Sequence, residues 1–340
     1  MSIIKVTANR GFEEMLKRIS TIDYLRGISI FTIVVMHLCQ GYASGALLKA
    51  LSFGGAGVHV FILCSGFGLY LSYLRKPLGY GEFLKRRFGK VWVPYAIAVM
   101  LWGLWLLASK GAFPLREVAS HLLLYKMFSV ELDTSLCYPY WFISTIIQFY
   151  LAWPLIVRLI QFRGGYFCAL AISLAWSTVV GVLGYEEMRP WGSFFLQYLW
   201  EFCLGMWIAE RCMMGDKMLD VKDCRWWWLA GGVVLGMGLT GLMAWNGGIL
   251  KLYNDIPSLL GYLSLMLMIY KLGIGTVNRL FEWASTFSYE LYLVHSLVFA
   301  VMAYFLKDAL PLAVLLAVSL ASAYAVGFGY DRFLKTCRLK

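Results

Sequence analysis

The chain reads as an all-α polytopic membrane protein, one bundle of about ten transmembrane helices with both termini cytoplasmic. Three observations predict this. Of its 340 residues, 61% are hydrophobic and 14% charged, and the mean hydropathy is +0.70, well outside the range of a soluble domain. Apolar stretches near the spanning length of about 20 residues recur along the whole sequence. The basic residues fall on alternate turns between those stretches. If the N-terminus, the turns 74–90, 158–165, 210–225 and 271–285 and the C-terminal tail share one face, that face collects 22 of the 30 Lys and Arg. The positive-inside rule makes it the cytoplasmic one. The net charge of +11 then needs no nucleic acid to explain it.

The first span, 22–43, carries an acid, a guanidinium and an imidazole in Asp23, Arg26 and His37. Charged groups inside a membrane helix are costly unless they face a partner or a wet cavity. Arg26 and His37 are eleven residues apart, which at about 100° per residue returns to within about 20° of one direction. Asp23 lies within about 60° of both, so all three share one helix face. Asp23 is too far along the helix to orient His37, and its expected partner is Arg26.

The second span, 54–74, places His59 near its outer end, close to the depth of His37, where two imidazoles could cooperate. Gly and Ser at 54, 55, 57, 65, 66 and 68 suit close helix approach. Ser65 has nothing local that resembles a nucleophile elbow. The third span, 91–109, follows Lys85-Arg86-Arg87 and Lys90. That stretch reads either as an anchor on anionic lipid or as a phosphate-binding patch, since Arg offers paired donors to phosphate oxygens. The outer stretch 110–139 is expected to form an interfacial amphipathic helix.

Spans at 140–160, 166–184, 193–210, 226–245 and 256–272 follow. Glu201 lies in one of them, and a structural ion pair with Arg or Lys is the alternative to a functional role. The ninth span, 286–306, puts Ser288, Tyr292 and His295 on one face, with Glu290 pointing elsewhere and nearer the cytoplasm. The last span is 310–330. No repeat or linker divides the chain, which therefore forms one domain over 1–340, with cytoplasmic segments at 1–21 and 331–340. Connections this short leave no soluble catalytic domain, so the membrane part must do any chemistry. The eight Cys are scattered without a C-x-x-C pair and suit packing better than disulfides, and no metal site is expected. No apolar signal region precedes residue 22, so the first span would itself direct insertion. A transporter or exporter of a small or lipid-linked substrate also tolerates polar stripes, but predicts two pseudo-symmetric halves, which the sequence lacks.

Five motifs in register resemble the membrane-bound acyltransferase-3 family. They are Asp23-x-x-Arg26-Gly27 with His37; Phe61-x-x-x-Ser65-Gly66-Phe67; Arg86-Arg87-x-x-Lys90-Val91-x-x-Pro94; Tyr140-Trp141-Phe142; and Ser288-Tyr289-x-x-Tyr292-Leu293-x-His295. Two positions depart from the family pattern: Lys90 stands where Arg is usual, and His59 where an acid is common. The resemblance implies transfer of an acyl group, usually acetyl from acetyl-CoA, to a hydroxyl of a cell-envelope carbohydrate or lipid-linked glycan. It implies a multi-pass protein of the inner or plasma membrane and no metal. In that reading His37 is the catalytic centre, as general base or acyl-accepting nucleophile. Arg26 and Asp23 are catalytic residues with it, along the path on the first span; Arg86, Arg87 and Lys90 bind the CoA phosphates, and Ser65, Glu290, Tyr292, His295 and His59 support the site.

Overall fold

In hydrocarbon every backbone N–H and C=O must be paired within the chain, which favours helices wherever apolar residues run long. The computed structural model describes residues 20–216, 221 and 224–339, and is helical with no strand among them. In chain order the helices are α1 (Ser20–Gln40), α2 (Gly45–Ser52), α3 (Gly57–Arg75), α4 (Tyr80–Lys110), α5 (Leu115–Leu122), α6 (Trp141–Gln161) and α7 (Gly165–Val182). There follow α8 (Arg189–Gly192), α9 (Leu199–Met213), α10 (Trp226–Asn246), α11 (Asp255–Lys271), α12 (Gly275–Ser285), α13 (Ser288–Leu306) and α14 (Leu312–Thr336). Every expected span overlaps one of these helices. Eight helical stretches among the described residues are long and apolar enough to cross a membrane. The two expected spans that fall short overlap α9, with 15 residues, and α11, with 17.

Three segments differ from the expectation. The basic stretch before the third span is not a loop, because α4 begins at Tyr80 and runs 31 residues. At 1.5 Å per residue it is roughly 46 Å long against about 30 Å of hydrocarbon. Its surplus first turns carry Lys85, Arg86, Arg87 and Lys90, steadied by a Glu82–Arg86 pair one turn apart at 2.5 Å. The outer stretch does not lie along the interface as one amphipathic helix. Only α5 is α-helical, Leu124 turns the chain at φ +61°, and His121 and Lys126 point inward at 0% and 1% exposure. The last helix continues to Thr336, into the expected tail. The expected N-terminal segment lies outside the described residues except for Ser20 and Thr21.

Small residues set how closely these helices approach. The most extensive packing is between α3 and α9, where Gly66 faces the Phe202 backbone and Gly205 faces that of Leu63. A Cβ built on Gly205 would lie 2.0 Å from the Leu63 carbonyl oxygen, and backbone cannot yield as a side chain does. The α1–α12 contact works the same way, with Gly27 against the Phe281 carbonyl. Gly205→Val should therefore lower stability by about 1–3 kcal/mol or more, read as an earlier thermal transition of the purified protein. Gly231→Ala, with open space around its Cβ, should leave the transition where it is. Equal behaviour of the two variants would contradict this packing.

Candidate functional site

His37 stands in the last turn of α1, and His295 is the eighth residue of α13. The two helices pack together and bring His37 Nδ1 to 3.0 Å from His295 Nε2, with the rings stacked at 5.1 Å and 17°. The other nitrogen of His295 fixes the proton order. Its Nδ1 lies 2.7 Å from the Tyr292 carbonyl and 3.2 Å from that of Leu291. A carbonyl oxygen only accepts, so Nδ1 of His295 carries the proton and Nε2 offers a lone pair. His37 Nδ1 then donates to that lone pair, and the Ser296 hydroxyl stands 3.1 Å from the same atom. What remains is the lone pair on Nε2 of His37, uncommitted on a half-buried ring. An imidazole so arranged can take a proton from a hydroxyl or attack an acyl carbon.

The supporting wall comes from the turn before α6. The Tyr140 hydroxyl donates to the Leu293 carbonyl at 2.7 Å, and the Tyr292 hydroxyl donates to the carbonyl of Pro139. These reciprocal bonds pin α13 to the residues 138–140. Tyr140 packs in turn against Tyr95 and His121. Tyr95 and His121 are bonded at 2.7 Å, and His121 Nε2 reaches the Ser135 carbonyl at 2.9 Å. Burial pushes the His121 imidazole down to about 2, and the charge of Lys126 adds to this, so His121 is a neutral strut.

Toward the other end of α1, Arg26 and Asp23 form an ion pair at 3.6 Å. Arg26 lies across Gly68 of α3, where a built Cβ would be 3.8 Å from Nη2. The rise between Arg26 and His37 is roughly 16 Å. The first turns of α4 meet the chain's end around an open groove of about 440 Å³, lined by Glu82, Lys85, Arg86, Gly89, Lys90, Arg338 and Leu339. Arg86 and Lys90 are thus brought together. Arg87 is not, and its guanidinium sits 5.8 Å over the Phe83 ring instead.

Against this geometry, the acyltransferase domain model matches residues 19–329, which takes in both histidines, the Arg26–Asp23 pair and the basic turns. The chain belongs to the acyltransferase-3 family. It is a multi-pass membrane acyltransferase. No curated protein and no solved structure matches it.

Within the acyltransferase, His59 does not join His37. Its Nδ1 bonds Glu201 Oε1 at 2.7 Å and its Nε2 faces Asp255 Oδ1 at 3.7 Å. Gln197 Nε2 holds the other Asp255 oxygen at 2.6 Å. Glu201 therefore has a partner, but it is an imidazole rather than Arg or Lys. Ligand atoms of His59, Glu201 and Asp255 lie within 4.8 Å of one another, the one such group that could hold a metal among the described residues. The carboxylates occupy opposite nitrogens of one ring, however, which suits an imidazole donating from both sides more than a shared ion. The cluster stands at the first turns of α3, α9 and α11, so the two short helices start at one depth.

Among the other expected residues, Ser65 Oγ is spent on the Phe61 carbonyl of its own helix at 2.8 Å. Glu290 is fully buried, within electrostatic reach of Tyr289 and Tyr330. Sequence reasoning missed Asp255, Arg338 and the His37–His295 bond. Asp255 had a signal, an acid one residue before an apolar span. Arg338 had none, since only the fold returns the tail to α4.

His295 touches His37, and if His37 is the reacting group the role open to His295 is to position it. His295→Ala should lower kcat by about 10²-fold or more, with KM for the acyl donor little changed and the pH–rate profile displaced. His295→Gln keeps an acceptor for His37 Nδ1 and should recover part of the rate. An unaltered kcat in His295→Ala would contradict the arrangement.

Proposed function

We propose that the protein is a membrane O-acetyltransferase that carries acetyl from cytoplasmic acetyl-CoA to a hydroxyl of a cell-envelope carbohydrate or lipid-linked glycan. The observation that carries this reading is the uncommitted Nε2 of His37, on the same helix as the Arg26–Asp23 pair. We read ten spans, with both termini in the cytoplasm, from the excess of basic residues on one set of turns. That orientation puts the groove of Lys85, Arg86, Lys90 and Arg338 where CoA is found and His37 toward the exterior. Arginine and lysine there suit the phosphates of CoA, Arg by paired donors and Lys as a point charge. The acyl-bearing arm then runs along α1 past Arg26, and the thioester meets the acceptor at His37.

In the transfer step, His37 Nε2 removes the proton of the acceptor hydroxyl as its oxygen bonds the thioester carbon. The carbon–sulfur bond breaks, and the thiolate of CoA leaves with the proton that His37 Nε2 took from the hydroxyl, which returns the imidazole to its free base. General-base assistance of this kind is worth about 10² to 10⁴ in rate. The positive charge that grows on His37 is shared through Nδ1 with His295, whose own proton stays on its helix carbonyls.

The test is mass spectrometry of envelope glycans from cells producing the wild-type protein or His37→Gln at equal membrane levels. Glutamine keeps hydrogen bonding without basicity. O-acetyl groups should appear with the wild type and fall to background with the variant. Undiminished acetylation by His37→Gln would remove His37 from the chemistry.

A further inference from the structure

Three ring contacts away from the histidine pair lies a pocket that the transfer step does not use. Lys126, Asp133, Trp141, Ser144, Arg189 and Ser193 line it. Its charge is unbalanced. Lys126 is 1% exposed, and its ammonium has one acceptor among the described residues, the Asp133 carbonyl at 3.1 Å. Arg189 is stacked on the Tyr138 and Trp141 rings at 4.8 and 5.0 Å, which leaves the edge of its guanidinium free for an acceptor. Asp133 is the one carboxylate in the lining. Two cations therefore face one anion.

The hydroxyls point the same way. Ser144 and Ser193 are each 5% exposed, and both hydroxyl oxygens are buried without a hydrogen-bond partner among the described residues. Leaving such a group unpaired is costly, and here two orphans and a one-bonded ammonium share one cavity. The enclosed space is about 10 Å³, room for about one oxygen atom rather than a sugar ring. A neutral water would fill it but would not balance the charge. An oxyanion would do both, with one oxygen inside and the rest of its molecule at the mouth, against Arg189 and Trp141. Burial pushes the Lys126 ammonium down to about 8, the penalty that an anion would relieve.

Aromatic contacts link the pocket to the histidine pair. Trp141 packs on Phe142, Phe142 on Tyr292, and Tyr292 on His295, at ring distances of 6.1, 5.5 and 5.8 Å. The Arg189 guanidinium lies within electrostatic reach of Tyr292.

We propose that this pocket is an anion subsite for the acceptor, taking a carboxylate oxygen, so that the glycan acetylated is an acidic one. The proposal rests on the reading of the protein as a glycan O-acetyltransferase. The anion fixes the acceptor's orientation, and a hydroxyl on the same or the next sugar reaches His37 Nε2.

The experiment uses the full-length protein in detergent, with glucuronate, glucose and inorganic phosphate as probes and ligand-observed NMR as the readout. Glucuronate should bind and glucose should not. Lys126→Met and Arg189→Gln should each weaken glucuronate binding at least tenfold, and Ser193→Ala severalfold. Since Lys126→Met removes a buried charge and can fail to fold, Arg189→Gln and Ser193→Ala carry the comparison alone if it does. The second arm offers acetyl-CoA with an oligoglucuronate or with its carboxyl-reduced form, and the acidic form should have at least a tenfold lower KM. Equal binding of glucose and glucuronate, equal KM values, or variants with wild-type affinity would overturn the proposal. Binding of phosphate without glucuronate would also overturn it, leaving a site for a free anion only. If glucuronate binds and no acceptor is acetylated, the anion subsite stands and the acetyltransferase reading fails.

Discussion

The proposed active centre depends on a proton that does no chemistry, the one on Nδ1 of His295. Two carbonyls of the same helix hold it. Because those acceptors belong to α13, the tautomer is set by helix geometry and not by solvent or substrate. The consequence passes through His37, which must donate from Nδ1 and present Nε2. A lone histidine at the end of a membrane helix would sample both tautomers and several ring orientations. Here one rotamer and one proton order are selected before any substrate arrives, which is the pre-organisation that general-base catalysis needs. The Tyr140 and Tyr292 bonds to the facing backbone matter because they keep α13 at the right height for this.

The same logic governs the other polar groups of the bundle. An ion inside a bilayer is tolerated where it is paired or opens to water, and the structure provides a distinct solution for each. Arg26 has Asp23 and the clearance left by Gly68. His59 has a carboxylate on each nitrogen. The basic first turns of α4 extend beyond the length that hydrocarbon can cover. Lys126 and Arg189 are the exception, with more positive charge than their pocket neutralises, and that imbalance is the ground for the proposed anion subsite.

Much of the fold was legible, because spanning length and apolarity are properties of contiguous residues. The shared face of Asp23, Arg26 and His37 was legible for the same reason, being set by helical periodicity alone. Partners across the bundle were not. Depth suggested His59 as the neighbour of His37, yet its partner is His295, 258 residues away, and depth along a helix says nothing about which helices touch. Glu201 illustrates the same limit, since an acid in a span announces a partner without naming it. The outer segment was legible only in part, since the expected helix forms over Leu115–Leu122 alone. Leu124 breaks the helix there, and the segment folds inward over His121 and Lys126. The groove beside α4 was half visible, as its basic turns are local while Arg338 arrives only through the fold.

The most direct test uses the chain's four histidines, few enough for ring ¹⁵N NMR of the protein labelled only at histidine. Signals are assigned through single His→Gln variants, and protonated and unprotonated ring nitrogens are distinguished by chemical shift. At neutral pH both His37 and His295 should be protonated at Nδ1 and unprotonated at Nε2, with a coupling or exchange contact between His37 Nδ1 and His295 Nε2. A His37 protonated at Nε2, or averaging between tautomers with no dependence on His295, would contradict the account.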